Sequence, residues 1–189
     1  LKKLITKTSG VFDKAIDWFE KLLDINESSE FVHEKLSISY SKILQYEEAI
    51  VHGEKALKYS PENSTYLSIL GQLYERVNNF PKAEEYIQAS LALQDVNLEE
   101  EYKRLGMVLN RQKKHKEALE AFKKAVRENP DSENANFFMV FTKDQYYKNI
   151  DTRISAYESF KKKFPDTGYF DMVNQRISEL KKEKFLKPN

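Results

Sequence analysis

Apolar and small residues return along this chain with two nested periods, and the shorter one is helical. In residues 99–132, Tyr102, Leu105, Gly106 and Leu109 fall at spacings of 3, 1 and 3, and Ala118, Phe122 and Ala125 at spacings of 4 and 3. Each set lies along one face of an α-helix, because residues three and four apart share a face at 3.6 residues per turn. The polar run Gln112-Lys113-Lys114-His115 between them is short enough to turn one helix back against the other. Asn129-Pro130-Asp131-Ser132 ends the unit: proline disfavours helix in the residue before it, and Asp or Ser can cap the next helix.

The longer period repeats this hairpin. Ala15, Ala49, Ala83 and Ala118 are separated by 34, 34 and 35 residues. Phe12, Tyr46 and Phe80 keep the same step three residues upstream, with His115 in the fourth place. Phe19, Gly53, Ile87 and Phe122 follow four residues after each alanine, and Pro61 and Pro130 twelve after theirs. The pattern divides a single helical-repeat domain, 1–189, into a truncated first repeat (1–29), three fuller repeats (30–63, 64–98, 99–132), a degenerate repeat (133–166) and a C-terminal capping helix with tail (167–189). The first repeat has a good second helix, but its first, over 1–8, lacks a Leu-Gly pair. In the degenerate repeat Arg153 stands near the usual alanine. On the last helix Tyr169, Val173, Ile177 and Leu180 form the inward stripe, while Arg176, Glu179, Lys181 and Lys182 keep the other face wet. A lone hairpin cannot bury both of its stripes, so stacked neighbours supply the core. Small residues such as Gly106 and Ala118 let the paired helices approach. Gly106→Ala is then mild only if the crossing leaves room for a methyl, and Gly106→Leu overpacks it.

The Leu-Gly-x-x-Tyr or Leu-Gly-x-x-Leu box, followed by Ala, Phe or Ile, Ala and Pro, resembles the tetratricopeptide repeat. Residues 99–132 fill nearly every signature position, through Tyr102, Leu105, Gly106, Leu109, Ala118, Phe122, Ala125 and Pro130. Residues 30–63 match through Leu36, Tyr40, Ala49, Ala56 and Pro61, with Ser37 where glycine is usual. The resemblance implies an all-α fold, a right-handed solenoid of antiparallel helix hairpins whose first helices line an inner, concave face. It also implies a protein-interaction scaffold that binds a peptide or helix of a partner and performs no chemistry. Some members clamp an acidic chaperone tail. The corresponding positions here are Glu34, Ile38, Ile69, Glu100 and Arg104; only Arg104 matches, and the two glutamates would repel a carboxylate.

Composition narrows the remaining options. With 31 Lys and Arg against 30 Asp and Glu, the chain has no global electrostatic pull towards nucleic acid or anionic membrane. No apolar run is long enough to insert across a bilayer. The absence of cysteine removes disulfides, thiolate catalysis and cysteine-ligated metals. It leaves the compartment open, and an address segment could precede Leu1, which is not a methionine. His33, His52 and His115 show no metal-ligand spacing and read as structural or surface residues. Glu pairs at 47–48 and 84–85 sit where helices begin and complement the helix dipole. No glycine-rich phosphate loop or nucleophile elbow is present. No cofactor or metal is expected, nor catalysis. Trp18, the lone tryptophan, is expected to be partly buried between hairpins.

The candidate binding surface is the inward stripe of the first helices. It comprises Phe31, Glu34, Ile38 and Lys42 in the second repeat and Thr65, Ser68, Gln72 and Arg76 in the third. Glu100, Lys103, Met107 and Arg111 continue it in the fourth, and Ala135, Phe138, Thr142 and Tyr146 in the fifth. Several of these are apolar groups that a purely solvated face would not carry, and exposed apolar patches rimmed by polar groups mark partner sites. A protein or peptide is the expected partner. Self-association, or docking within a larger multi-repeat chain, is the alternative.

Overall fold

The computed structural model describes residues 2–93 and 97–186, with side chains from residue 10 onward. Among the described residues there are ten α-helices and no strand. They fall into two compact units, Leu1–Val96 and Asn97–Asn189. The first holds α1 (Lys2–Asp24), α2 (Glu30–Lys42), α3 (Tyr46–Tyr59), α4 (Ser64–Arg76) and α5 (Phe80–Ala92). The second holds α6 (Leu98–Arg111), α7 (His115–Glu128), α8 (Glu133–Tyr146), α9 (Ile150–Lys163) and α10 (Phe170–Leu186).

Six of the helices begin where the sequence offers a side-chain acceptor for their orphan amides. Ser29, Asn63, Asn79, Asn97, Ser132 and Asn149 each accept a hydrogen bond from a backbone N–H in the first turn that follows. Three hairpin turns are built alike. The N–H of Gln45 donates to Tyr40 O, that of Asn79 to Tyr74 O and that of Lys114 to Leu109 O. The residue before each donor takes positive φ, 66° at Leu44, 58° at Asn78 and 60° at Lys113. This is the left-handed stop that closes a helix by satisfying its last carbonyls.

Within hairpins the small residues do what their spacing predicts. A Cβ on Gly71 would lie 2.7 Å from Ile87 Cγ1, and one on Gly106 would lie 2.7–2.8 Å from three ring atoms of Phe122. Ser37, at the glycine position of the second repeat, is buried and donates through Oγ to Ala49 O at 2.8 Å. Its hydroxyl bridges the crossing and leaves no unpaired polar group in it. The cores follow. Ile16, Val32 and Leu36 join α1 to α2; Ala49, Ile50, Leu70 and Leu73 join α3 to α4. Leu109, Ala118, Ala121 and Phe122 fill α6–α7.

Two local expectations change, and the degenerate repeat shows what its departures do. The separate first helix over 1–8 is absent, and α1 runs unbroken from Lys2 to Asp24 because nothing between them stops a helix. Trp18 is 69% exposed, with Lys21 Nζ 5.1 Å above its ring. Ile16 and Phe19 already face α2, and a step of about 100° per residue turns Trp18 away from them. In the fifth repeat Phe141 stands where Gly106 stands in the fourth, Asp144 where Leu109 stands, and Arg153 where Ala118 stands. With both small residues gone, α8 and α9 touch over a much shorter stretch than α6 and α7. Val140, Tyr157, Phe160, Val173 and Leu180 still form a core there, and α10 docks by its expected stripe.

Candidate functional site

In the first unit, four of the expected surface residues converge. Ile38 and Lys42 of α2 and Gln72 and Arg76 of α4 line one cleft of about 430 Å³, together with Leu44 and Tyr46. Lys42 and Arg76 are exposed, and Ile38 and Gln72 are half-buried. The helices hold them there because Leu36 and Leu70, on the opposite sides, are locked in the core. The cleft therefore offers an apolar floor with two cations at its rim. Phe31 stands apart from it, 57% exposed, its ring edge-on to Phe19 and covered by Lys35 Nζ at 5.1 Å. Glu34 is engaged internally: Lys35 donates to one carboxylate oxygen at 2.7 Å and the Tyr66 hydroxyl to the other at 3.2 Å. Thr65 is exposed, and Ser68 is half-buried one turn before Gln72.

In the second unit most of the expected surface residues are engaged within the fold. Lys103 donates to Glu100 and lies 3.8 Å from Glu99, so its charge is already matched. Met107 packs its half-buried side chain against the α6–α7 core, and Arg111 is exposed. Phe138 is shared between two cores, and Tyr146 is 42% exposed beside Tyr147. Thr142 and Ala135 are fully buried. Thr142 Oγ1 donates to Phe138 O at 2.7 Å and accepts from Asn110 Nδ2 at 2.6 Å, so it ties α8 to α6 and has no atom free for a partner. The cause is helical drift. Steps of four residues overshoot one turn by about 40°, so the stripe Phe138, Thr142, Tyr146 winds out of any one face. Arg104, the one match to a carboxylate clamp, sits 3.8 Å from Glu100 and 3.9 Å from Glu101.

Two buried polar clusters escaped the sequence reading. Asp144, with 2% of its side chain exposed, accepts from Arg153 Nε at 2.6 Å, Arg176 Nε at 2.7 Å and the Tyr157 hydroxyl at 3.2 Å. Burial alone would raise its pKa; the two guanidinium groups outweigh that and hold the carboxyl below its usual range. The residue that displaces the signature alanine is thus half of an ion-paired core. In the first unit His33 and His52 meet, Nδ1 to Nδ1 at 3.0 Å, although 19 positions separate them. Ser28 contacts His33 Nε2 at 3.1 Å, and Glu20 lies 3.4 Å from His52 Nε2. Burial lowers both pKa values, Lys55 adds to the effect on His33, and Glu20 opposes it. One ring donates and the other accepts, so the pair is at home neutral.

Two tetratricopeptide repeat models match the chain, one at residues 35–97 and one at 99–132. The peroxisomal targeting signal receptor of Saccharomyces cerevisiae is 29% identical over 107 residues, 57% of this chain and 18% of that protein. The uncharacterized protein ycf37 of Guillardia theta is 30% identical over 91 residues, 45% of this chain and 51% of that one. The chain thus spans from under a fifth to about half the length of these relatives. Two crystal structures share the fold: MamA, with a TM-score of 0.73, 24% identity and coverage of 84% of either chain, and YrrB, with a TM-score of 0.75, 21% identity and coverage of 94% of this chain and 88% of that one. Matched models over 35–132, helix hairpins closed at small-residue crossings and, among the described residues, ten helices without a strand agree on one assignment: the chain belongs to the tetratricopeptide repeat family.

Proposed function

We propose that this protein is an interaction scaffold and that the α2–α4 cleft of its first unit binds a short peptide segment of a partner. The observation that carries the reading is the convergence of Ile38, Lys42, Gln72 and Arg76 on one cleft. Two rim cations over an apolar floor favour a segment with an acidic residue beside an apolar one. YrrB, a TPR protein with an unusual peptide-binding site, supports peptide recognition by this fold. Selection from a displayed random dodecapeptide library tests it. Enriched peptides should carry that acidic–apolar signature. Lys42→Glu with Arg76→Glu should weaken them at least about tenfold, a loss that one charge-assisted contact accounts for. The same reversals at Lys116 and Arg127, exposed on α7, should leave binding intact. Unchanged affinity in the cleft variant refutes the site.

Self-association is the second reading, favoured by one feature. Val11, Trp18 and Ile25 are 64%, 69% and 66% exposed and recur every seven residues along α1 and its end. Such a stripe fits a facing helix. Light scattering should then show an oligomer that Trp18→Glu converts to monomer; a monomer at all concentrations removes this reading.

A further inference from the structure

The degenerate fifth repeat opens a second cleft on a different helix face. Phe141 and Arg153 replace the small residues that close the other crossings, and a cavity of about 560 Å³ lies between α8 and α9. Asn136, Met139 and Lys143 form its α8 side, and Thr152, Ser155 and Ser159 its α9 side. These positions recur at three- and four-residue steps and, with Tyr147 and Lys163, the groove follows both helices for about three turns. The α9 lining runs from Thr152 to Lys163, about 16 Å at 1.5 Å per residue. An extended segment of about five residues covers that distance at about 3.3 Å each, whereas a compact anion would occupy only one end.

Charge selects the occupant. Lys143 is half-buried, yet its side-chain ammonium makes no hydrogen bond or ion pair with any described residue. Burial and the nearby Lys123 both disfavour its charged form and lower its pKa. The other titratable groups of the cleft are already engaged or aromatic. Lys163 donates to the Pro130 carbonyl, Asp151 accepts from Lys184 of α10, and the Tyr147 ring lies edge-on to Tyr146. A half-buried ammonium with no counter-ion is the single unmet electrostatic demand of the groove, and a carboxylate meets it. Around it, Met139 and Ala156 offer apolar contact and the hydroxyls of Thr152, Ser155 and Ser159 can serve a peptide backbone.

We infer that the α8–α9 cleft is a second, separate binding site for an extended acidic peptide segment, with one carboxylate seated on Lys143 and an adjacent apolar side chain on Met139 and Ala156. The site shares no lining residue with the α2–α4 cleft, so either can fail alone.

The test uses the full chain, 15N-labelled, titrated to millimolar concentration with an acetylated, amidated pentapeptide of alternating leucine and glutamate. Its counterparts carry lysine or serine in place of glutamate, and citrate serves as a free carboxylate. The leucine–glutamate peptide should shift the backbone amides of α8 and α9 in a saturable way, while the lysine peptide does not. Lys143→Glu should weaken it at least about tenfold. Ser155→Leu with Ser159→Leu, both at exposed positions, should block it by filling the groove while leaving the melting midpoint in place. Absence of shifts on α8 and α9, equal shifts from the lysine peptide, or citrate acting there where the peptide does not, would each overturn the inference. Shifts confined to α2 and α4 would overturn it too while supporting the other cleft.

Discussion

Gly106→Ala pits backbone propensity against packing, and the structure says packing wins. Alanine at a helix interior is worth about 1 kcal/mol over glycine. Against that, the new methyl would lie 2.7 Å from Phe122 Cζ and 2.8 Å from both Cε atoms, well inside carbon–carbon contact. Phe122 is fully buried in the α6–α7 core and cannot swing into solvent. Overpacking of this kind costs about 1–3 kcal/mol, so the net effect is a loss of roughly 0–2 kcal/mol. Gly10→Ala supplies the contrast, because nothing lies within 4 Å of a Cβ there. It should return the propensity gain of about 1 kcal/mol undiminished. Phe122→Leu removes the ring atoms that the methyl strikes, so in that background Gly106→Ala should cost less or stabilise. Circular dichroism melts of the four variants, at about 2–4 °C per kcal/mol for a chain of this size, resolve these differences. Stabilisation by Gly106→Ala comparable to that by Gly10→Ala would refute the close crossing.

Lys113 holds φ at 60°, a conformation that costs a side chain about 1 kcal/mol, so Lys113→Gly should raise the melting midpoint, and a lower one would count against the shared turn. Asp144→Ala would strand Arg153 and Arg176 in the last core and should cost about 3 kcal/mol by urea denaturation; because one guanidinium is partly solvated, the lower end of the range for broken buried pairs applies. The Asp144 pKa is depressed on folding, so its contribution is full above the ordinary carboxylate value of 3.8 and is lost as pH falls through the lower folded value. His33 and His52 also titrate below their ordinary 6.5 when folded, so the unfolded chain takes up their protons first and stability falls as pH drops below that value. His33→Gln with His52→Gln should flatten the melting midpoint between about pH 7 and pH 5.5, and an unchanged slope would place the acid sensitivity elsewhere.

The sequence by itself determined the repeat, its period and the placing of nearly every helix from α2 onward. Those properties are local: a cap, a stripe, a small residue and a stop recur within 34 or 35 residues, and each acts on its own neighbourhood. It also placed Ile38, Lys42, Gln72 and Arg76 on one side of their helices. It placed Thr142 there too, where the structure buries it, because a four-residue step drifts around the helix and only neighbouring helices settle which part of the arc is covered. Tertiary structure alone decided the paired groups. His33 meets His52 across two helices, and Asp144 meets Arg176 across 32 positions, at distances that no periodicity encodes. Arg153 was legible as a departure from the pattern, but its meaning was not. The same substitution that brings a partner to Asp144 holds α8 and α9 apart, and an opening between helices depends on the volumes of residues from both sides at once.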